Sequence, residues 1–325
     1  MIKNKVKLLA LDLDGTVLTS NNTLSDEVKA AIQRAIDAGI EVVAASGRPF
    51  CSMPKEILSM DGIRYIIASN GAAVYDVNKN RVRSVTLRES DVIKLLKLTE
   101  DYDLIWEAFL DGETCTDKRY YDDPVKYGCH EAYVEYVQSS RGCSDDMRGY
   151  IFERKDKLDS VEIVCSNKAL REEIRAKLED NLDTVYITSS SADFIEFMDR
   201  DATKSNAVRF ICERENIDIN DTAACGNADN DVDMIAQAGV GAAVKNATKS
   251  CLEAADIVVD SNDKNGVKQL IEKLLELKVV GNDPCVAPEL KIESGKLWSG
   301  IQVSLIGNAV FPTVFYIILN CRVRF

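Results

Sequence analysis

The chain has 325 residues, of which 46% are hydrophobic and 29% charged, and its formal net charge is −13. This length and composition predict a globular protein with a sizeable core and more than one domain. The acidic balance argues against a nucleic-acid backbone as partner, because such partners are bound through an excess of Lys and Arg. A phosphorylated substrate would therefore need a local cation or lysine at its site.

The cysteines and the single histidine restrict the chemistry further. The ten cysteines show no Cys-x-x-Cys pair and lie scattered in apolar segments, for example Cys165, Cys212 and Cys225. We therefore expect reduced core residues in a cytoplasmic protein. One histidine, His130, excludes His-rich metal sites and argues against a Ser-His-Asp triad. We expect His130 to be a surface residue.

The apolar run at residues 8–11 ends in two carboxylates, Asp12 and Asp14, followed by Gly15 and Thr16. This pattern predicts a buried strand of a parallel sheet, whose carboxyl end faces a ligand. Two buried carboxylates repel each other unless a cation or hydrogen-bond donors compensate them. We predict one carboxylate as nucleophile and one as proton donor, with a divalent cation between them. The alternative, a strand with an Asp-Gly turn, explains Asp14 but not Asp12.

A strand–helix–strand unit continues the parallel pattern. Ser25 predicts a helix start, and residues 41–46 predict a second buried strand. Ser46 closes this strand, where its hydroxyl and the Gly47 amide could donate to a phosphoryl oxygen. As an isolated Ser-Gly-Arg, the same residues would be an ordinary turn. Residues 63–69 predict a third strand that again ends in polar residues.

Beyond residue 88 the pattern becomes that of a mixed α+β lobe. A helix is predicted near residues 92–98 and another over residues 168–182, and residues 117–148 form a polar stretch with few buried runs. Strands are predicted at residues 104–109, 160–164 and 184–188. Because this lobe interrupts the parallel pattern, we expect it to act as a lid that selects substrate and excludes water.

Two later stretches carry polar residues at the ends of strands or the starts of helices. Lys204 lies in the first turn of a predicted helix, where the positive end of the helix dipole disfavours a lysine unless an anion is bound there. A solvated lysine is the ordinary alternative. Residues 227–231 follow another apolar strand. An N-terminal cap would explain one of their Asp and Asn residues, but not four in five positions.

These segments together resemble the motifs of the haloacid dehalogenase-like phosphatases, and the run Ser-Asn-Gly-Ala at residues 69–72 is typical of the Cof-type branch, subfamily IIB. The matches, in chain order, are the Asp12-x-Asp14-Gly-Thr segment, Ser46, Lys204 and residues 227–231. The resemblance covers about residues 5–278. It implies an α/β fold, a Rossmann-like doubly wound parallel sheet with an inserted α/β cap. The implied domains are a core of residues 1–87 and 190–278, a cap of residues 88–189, and an extra apolar tail of residues 279–325.

The resemblance also implies an activity, a magnesium-dependent phosphomonoester hydrolase for sugar phosphates or similar small phosphorylated metabolites. Asp12 would form an aspartyl-phosphate, and Asp14 would be the general acid and base. The implied phosphate-binding residues are Leu13, Ser46, Gly47, Lys204 and Asn230. The implied Mg²⁺ ligands are Asp12, Asp14, Asn227 and Asp231.

The fourth motif departs from the family pattern, because Asn227 stands where the family has an Asp that binds magnesium. An amide oxygen still binds a hard cation but adds no negative charge, so the metal affinity should fall. A homologue that binds a phosphorylated ligand without hydrolysing it is therefore one alternative. A phosphosugar mutase using the same chemistry is another.

A membrane-tethered interaction protein is a third alternative. Residues 297–321 contain no charged residue and are long enough to span a bilayer. Gln302, Asn308 and Pro312 weaken this interpretation. We expect an apolar extension outside the core, with no membrane or nucleic acid among the partners.

Overall fold

The structure, a computed structural model, describes residues 6–189 and 193–280. The apolar stretch at residues 297–321, on which the membrane alternative rests, lies outside the described residues. Within the described ranges, no helix is both long and apolar enough to cross a membrane.

Fourteen strands are present in the described part of the chain. They are β1 (Leu8–Asp12), β2 (Glu41–Ala45), β3 (Tyr65–Ala68), β4 (Ala73–Asp76), β5 (Arg81–Ser84), β6 (Ile105–Leu110), β7 (Glu113–Asp117), β8 (Gly142–Ser144), β9 (Ser160–Val164), β10 (Val185–Thr188), β11 (Phe194–Asp199), β12 (Thr222–Gly226), β13 (Val240–Val244) and β14 (Ile257–Val259).

Eleven α-helices accompany these strands in the same residues. They are α1 (Asp26–Asp37), α2 (Lys55–Leu58), α3 (Glu89–Leu98), α4 (Lys118–Asp122), α5 (Val134–Ser140), α6 (Met147–Glu153), α7 (Lys168–Glu179), α8 (Lys204–Glu215), α9 (Val232–Gln237), α10 (Lys249–Ala254) and α11 (Gly266–Val280).

The first sheet has eight strands in the order β14-β13-β12-β1-β2-β3-β4-β5. The strands from β14 to β3 pair in parallel, and β4 and β5 extend the sheet in antiparallel pairing. Leu9 and Leu11 of β1 pack in the hydrophobic cluster that includes α1 and α11, whereas Leu8 and Ala10 pack in the cluster that includes α8. Helices therefore cover both faces, and the predicted doubly wound parallel sheet is confirmed.

The alternation along β1 also decides where the first carboxylate points. Side chains of a strand alternate between the two faces, so Asp12 shares the face of Leu8 and Ala10. That face is covered by α8, whose first residue is Lys204. The strand therefore directs Asp12 towards the start of this helix.

The second sheet has six strands in the order β10-β11-β9-β6-β7-β8. Together with helices α3 to α7 it forms what we call the six-stranded lobe, residues 89–199. Strand β11 lies within residues 190–278, which the resemblance assigns to the core, but it pairs antiparallel with β9 and β10 of this second sheet. Strand pairing depends on partners remote in the chain, which the local pattern of β11 does not encode.

The polar stretch at residues 117–148 is more ordered than its composition indicated. It contains helices α4 and α5, strand β8 and the start of α6. Tyr120 is buried and packs with Val137 and Ile105 in a small cluster of its own. The tyrosines provide this burial, because their rings are apolar although their hydroxyls are polar.

Candidate active site

Asp12 and Lys204 meet at the carboxyl end of β1. The Lys204 ammonium donates to Asp12 Oδ1 at 2.7 Å, and both side chains are almost fully buried. Thr203 caps the helix that carries the lysine, its hydroxyl accepting from the Asn206 amide. The predicted lysine at this helix start is thus paired with carboxylates and is not solvated.

The same ammonium holds a second carboxylate, Asp231. Lys204 Nζ donates to Asp231 Oδ1 at 2.7 Å, while Asp231 Oδ2 accepts the backbone amides of Asn227 and Ala228 at 3.0 and 3.1 Å. Both oxygens of Asp231 are therefore engaged. This arrangement fixes the turn after β12 against β1 through one buried cation.

The electrostatics follow from burying two carboxylates with one ammonium. Burial and the neighbouring Asp231 raise the pKa of Asp12 to about 7, although Lys204 acts in the opposite direction. For Lys204, burial lowers the pKa, but Asp12 and Asp231 outweigh it and leave the pKa above its ordinary value. The lysine therefore stays charged beside the predicted nucleophile.

Asp14 does not join the buried group of Asp12, Lys204 and Asp231, and its carboxylate pairs with Arg48. The guanidinium donates from Nε and Nη2 to the two Asp14 oxygens at 2.8 and 2.5 Å, and from Nη2 to Asn22 Oδ1 at 2.6 Å. Its Nη1 donates to the Ser52 carbonyl at 3.2 Å. Burial lowers the pKa of Arg48, but the contact with Asp14 raises it by more. The pKa of Arg48 therefore lies above its ordinary value. Arg48 is thus a fixed cation behind Asp14.

The predicted phosphate-binding residues Ser46 and Gly47 lie beside Asn70. Ser46 is fully buried at the end of β2, and its hydroxyl accepts the Arg48 amide at 3.1 Å. A Cβ on Gly47 would lie 3.2 Å from Asn70 Oδ1, a tight contact. The Leu13 side chain is buried in the core, so only its backbone is left for the predicted phosphate contact.

Asn227 and Asn230 occupy the loop after β12. The Asn227 amide oxygen accepts from the Thr16 hydroxyl at 3.2 Å. A Cβ on Gly15, whose φ is +74°, would lie 2.5 Å from Asn227 Nδ2, so this side chain packs directly on the turn after Asp14. Asn230 Nδ2 donates to Asn70 at 2.8 Å, whereas its buried Oδ1 has no partner among the described residues.

The oxygen donors at this site fit a hard cation in kind. Asp12 Oδ2 is buried without a hydrogen-bond partner among the described residues, as an oxygen kept for a ligand would be. Asp12, Asp14 and Asn227 line one cavity. In the described part of the chain, no group of three or more His, Cys, Asp or Glu side chains is arranged to hold a metal ion. A cation here would therefore need amide or backbone oxygens as well.

The cavity, about 440 Å³, joins this site to the six-stranded lobe. Asp12, Asp14, Gly47, Asn227 and Asn230 line its inner end, and the lobe contributes aromatic and charged side chains to the other end. Its size is that of a small-molecule site. His130 is exposed, as expected, but it also lies on the cavity lining.

A family model described as haloacid dehalogenase-like hydrolase matches residues 9–271. The chain belongs to this family. The match spans both sheets and the Asp12, Ser46, Lys204 and 227–231 segments. It confirms the family resemblance and the prediction that the protein is an enzyme of the hydrolase class.

Individual relatives in this haloacid dehalogenase-like family are distant but nearly full-length. The chain is 27% identical to phosphatase YwpJ of Bacillus subtilis over 287 residues, 83% of this chain and 100% of that protein. It is also 27% identical to 5-amino-6-(5-phospho-D-ribitylamino)uracil phosphatase YcsE of the same organism, over 82% of this chain and 94% of that protein. A solved haloacid dehalogenase-like hydrolase from B. subtilis superposes with a TM-score of 0.72 at 26% identity, covering 82% of this chain and 99% of that one.

Two residues at the site carried no assigned role in the sequence analysis, Arg48 and Asn70. Arg48 follows Ser46 and Gly47 directly, so its position after a strand end was a usable signal. Asn70 donates to Glu196 at 2.5 Å and accepts from Asn230, joining the two sheets. Nothing local to residue 70 points to a glutamate 126 positions later.

Proposed function

We propose that the protein is a magnesium-dependent phosphomonoester hydrolase that acts on small phosphorylated metabolites, with Asp12 as nucleophile and Asp14 as general acid and base. The supporting observation is the buried Lys204 ammonium, which lies 2.7 Å from both Asp12 and Asp231. Asp12 in turn lines a cavity together with Asp14. This ammonium offsets part of the charge of the two carboxylates, and the proposed cation would supply the remaining positive charge that an acidic protein needs to receive a phosphate.

The proposed reaction has two steps. An Asp12 oxygen attacks phosphorus, forming an aspartyl-phosphate while the ester P–O bond breaks and Asp14 protonates the leaving alcohol. Asp14 then takes a proton from the water that attacks phosphorus, which releases phosphate and restores Asp12. Ser46, Asn230, the ammonium of Lys204 and the amides of Leu13 and Gly47 would cradle the phosphoryl oxygens.

The proposed cation ligands are Asp12, the backbone carbonyl of Asp14, Asn227 and, through water, Asp231. Bound there, magnesium would supply positive charge that offsets the charge on the phosphoryl oxygens. The unpartnered Oδ2 of Asp12 supports this assignment. Both oxygens of Asp231 already accept hydrogen bonds within the protein, so its contribution would be indirect.

The six-stranded lobe is proposed to act as the cap, with residues 6–87 and 200–280 forming most of the catalytic core. The cavity supports this division, because the proposed catalytic residues line one end and the lobe lines the other. A sugar phosphate, or a phosphate ester of a comparable polyol such as the substrate in the name of YcsE, is of a size that fits the cavity.

The proposal is tested by phosphate release from a panel of sugar and cofactor phosphates, with magnesium and with a chelator. We expect magnesium-dependent release, which Asp12→Asn abolishes and Asp14→Asn reduces by at least about 100-fold while the fold is retained. Normal turnover in Asp14→Asn would exclude its proposed role. Equal release in the chelator would exclude the metal.

Asn227 favours one second candidate, a homologue that binds a phosphorylated ligand without hydrolysing it. The amide lacks the charge of a carboxylate, so the cation would be held less tightly. In that case the wild-type protein would release no phosphate from any compound, and Asn227→Asp would create the activity. Release by the wild-type protein would exclude this candidate.

A further inference from the structure

Three buried glutamates lie side by side across the sheet of the six-stranded lobe. Glu107 of β6 is the register partner of Glu162 of β9, and Glu162 is in turn the partner of Glu196 of β11. All three are at least nine-tenths buried. Like charges directly opposite each other on neighbouring strands destabilise a sheet, and burial adds a desolvation cost. The row of glutamates therefore lowers the free energy of unfolding. A destabilising arrangement of this kind favours a role in ligand binding.

The two outer glutamates are compensated within the protein. Arg141 Nε donates to Glu107 at 2.6 Å, and Asn70 Nδ2 donates to Glu196 at 2.5 Å. The central residue differs, because Glu162 Oε1 is buried and has no hydrogen-bond partner among the described residues. Glu162 also lines the cavity. It is therefore a buried acceptor that faces the ligand space.

Carboxyl groups outnumber cationic side chains at this end of the cavity. Glu162 and Glu196 line it together with Arg141, which is already paired to Glu107. Burial, followed by repulsion from Glu107 and Glu196, raises the pKa of Glu162 well above its ordinary value. An ammonium group placed here would remove that cost by pairing with the carboxylate.

The lobe also lines the cavity with aromatic side chains, among them Phe109, Tyr120 and Phe194. Ring faces attract cations and also stack on flat ligand groups. An uncharged sugar could bind these carboxyl groups through its hydroxyls, but only a cationic group would favour the ionised form of Glu162 by pairing with it. A phosphate ester with a cationic far end would match both ends of the cavity, with its phosphate at the Asp12 end and its cation near Glu162.

We propose that Glu162 is a specificity-determining residue that receives an ammonium group of the substrate, which makes the preferred substrates amine-bearing phosphate monoesters. This rests on the proposed function in that it uses the same cavity, with the phosphate at the Asp12 end. Glu196 and Glu107 flank the ammonium site, and Asn70 and Arg141 hold these two in place.

The test compares pairs of phosphate esters that differ only in an amine against a hydroxyl. Suitable pairs are pyridoxamine and pyridoxine 5′-phosphate, glucosamine and glucose 6-phosphate, and phosphoethanolamine and 2-hydroxyethyl phosphate. For each pair the ratio of kcat/KM, amine over hydroxyl, is measured in the wild type, in Glu162→Gln and in Glu113→Gln. Glu113 lies on the same sheet but is exposed, so it is the matched control.

We expect a ratio of at least about 10 for one or more pairs in the wild type and in Glu113→Gln, falling to about 1–3 in Glu162→Gln, because a charged hydrogen bond is worth about a factor of ten or more. A ratio near one for every pair in the wild type, or a ratio unchanged in Glu162→Gln, would overturn the proposal. A wild-type preference for the hydroxyl ester of each pair would also overturn the proposal, and it would indicate that the three glutamates bind neutral polyols.

Calorimetric binding of the same pairs separates this inference from the proposed function. If no compound releases phosphate, the hydrolase proposal fails, but the ratio of dissociation constants still tests the role of Glu162. If phosphate is released and the binding ratio does not depend on Glu162, only the ammonium site fails.

Discussion

Arg48 donates two hydrogen bonds to Asp14, from Nε to Oδ2 at 2.8 Å and from Nη2 to Oδ1 at 2.5 Å. The other contacts of the guanidinium fix its own position, including the ring of Tyr136 from the six-stranded lobe, 4.8 Å away. The direction of the Asp14 carboxyl is therefore set by a residue that touches both parts of the molecule. We infer that Arg48 is a positioning residue for the proposed acid and base.

Replacing Arg48 by lysine should lower kcat by about 10- to 100-fold while KM changes by less than about threefold. Lysine keeps the charge but loses the planar two-pronged contact, so Asp14 is no longer held in one direction. Steady-state phosphate release measures this, with the exposed Arg64→Lys as control, since Arg64 pairs with Glu41 and Glu215 far from the cavity. A raised KM with unchanged kcat would show instead that Arg48 only binds substrate.

Replacing Lys204 by methionine should destabilise the protein by about 3–5 kcal/mol, because two buried carboxylates lose their counter-ion. Urea unfolding measures the change in the free energy of unfolding. The control is Lys249→Met, where an exposed lysine pairs with Glu253 and the change should stay within about 0.5 kcal/mol. Adding Asp12→Asn to Lys204→Met should recover part of the loss. Equal free energies of unfolding for Lys204→Met and Lys249→Met would contradict the structural role of Lys204.

Replacing Asn227 by aspartate should strengthen magnesium binding by about tenfold, because a carboxylate adds a negative charge to the proposed ligand set. The magnesium concentration for half-maximal phosphate release measures this, and calorimetry with magnesium alone gives a second value. Asn220→Asp, on the chain segment before β12, adds the same charge outside the cavity lining. An unchanged magnesium requirement in Asn227→Asp would remove Asn227 from the ligand set.

Asp159 should make the stability of the protein fall as the pH rises from about 4 to about 7. It is fully buried and pairs with Arg81 of β5, while its Oδ2 has no partner among the described residues. Burial raises the pKa of Asp159 to about 6, despite Arg81. The folded state thus holds the proton more tightly than the unfolded chain, so the stabilisation is complete below about pH 4 and is lost through pH 6.

The free energy of unfolding should change by up to about 3 kcal/mol, because the pKa of Asp159 is about two units higher in the folded state than in the unfolded chain. Urea unfolding of the wild type and Asp159→Asn at a series of pH values measures it. The free energy of unfolding of the wild type, relative to the variant, should decline by that amount between pH 4 and pH 7. A difference that is constant with pH would show that Asp159 does not titrate in this range.

The sequence by itself determined the parallel sheet and the inner end of the cavity. Apolar runs of four or five residues that end in polar groups predicted β1, β2 and β12, and carboxyl ends of neighbouring parallel strands necessarily lie at one edge. For this reason Asp12, Ser46 and the loop at residues 227–231 could be expected together before the structure was known. The position of Lys204 in the first turn of a predicted helix, against the helix dipole, indicated an anion near its side chain.

Only the tertiary structure decided the end of the cavity that the six-stranded lobe lines. The membership of β11 in the second sheet and the register of Glu107, Glu162 and Glu196 depend on pairing between strands far apart in the chain. The contacts of Asn70 and Arg48 with the six-stranded lobe are of the same kind. Local pattern specifies which face of an element is buried and which end is polar, but it does not specify the partner that packs there.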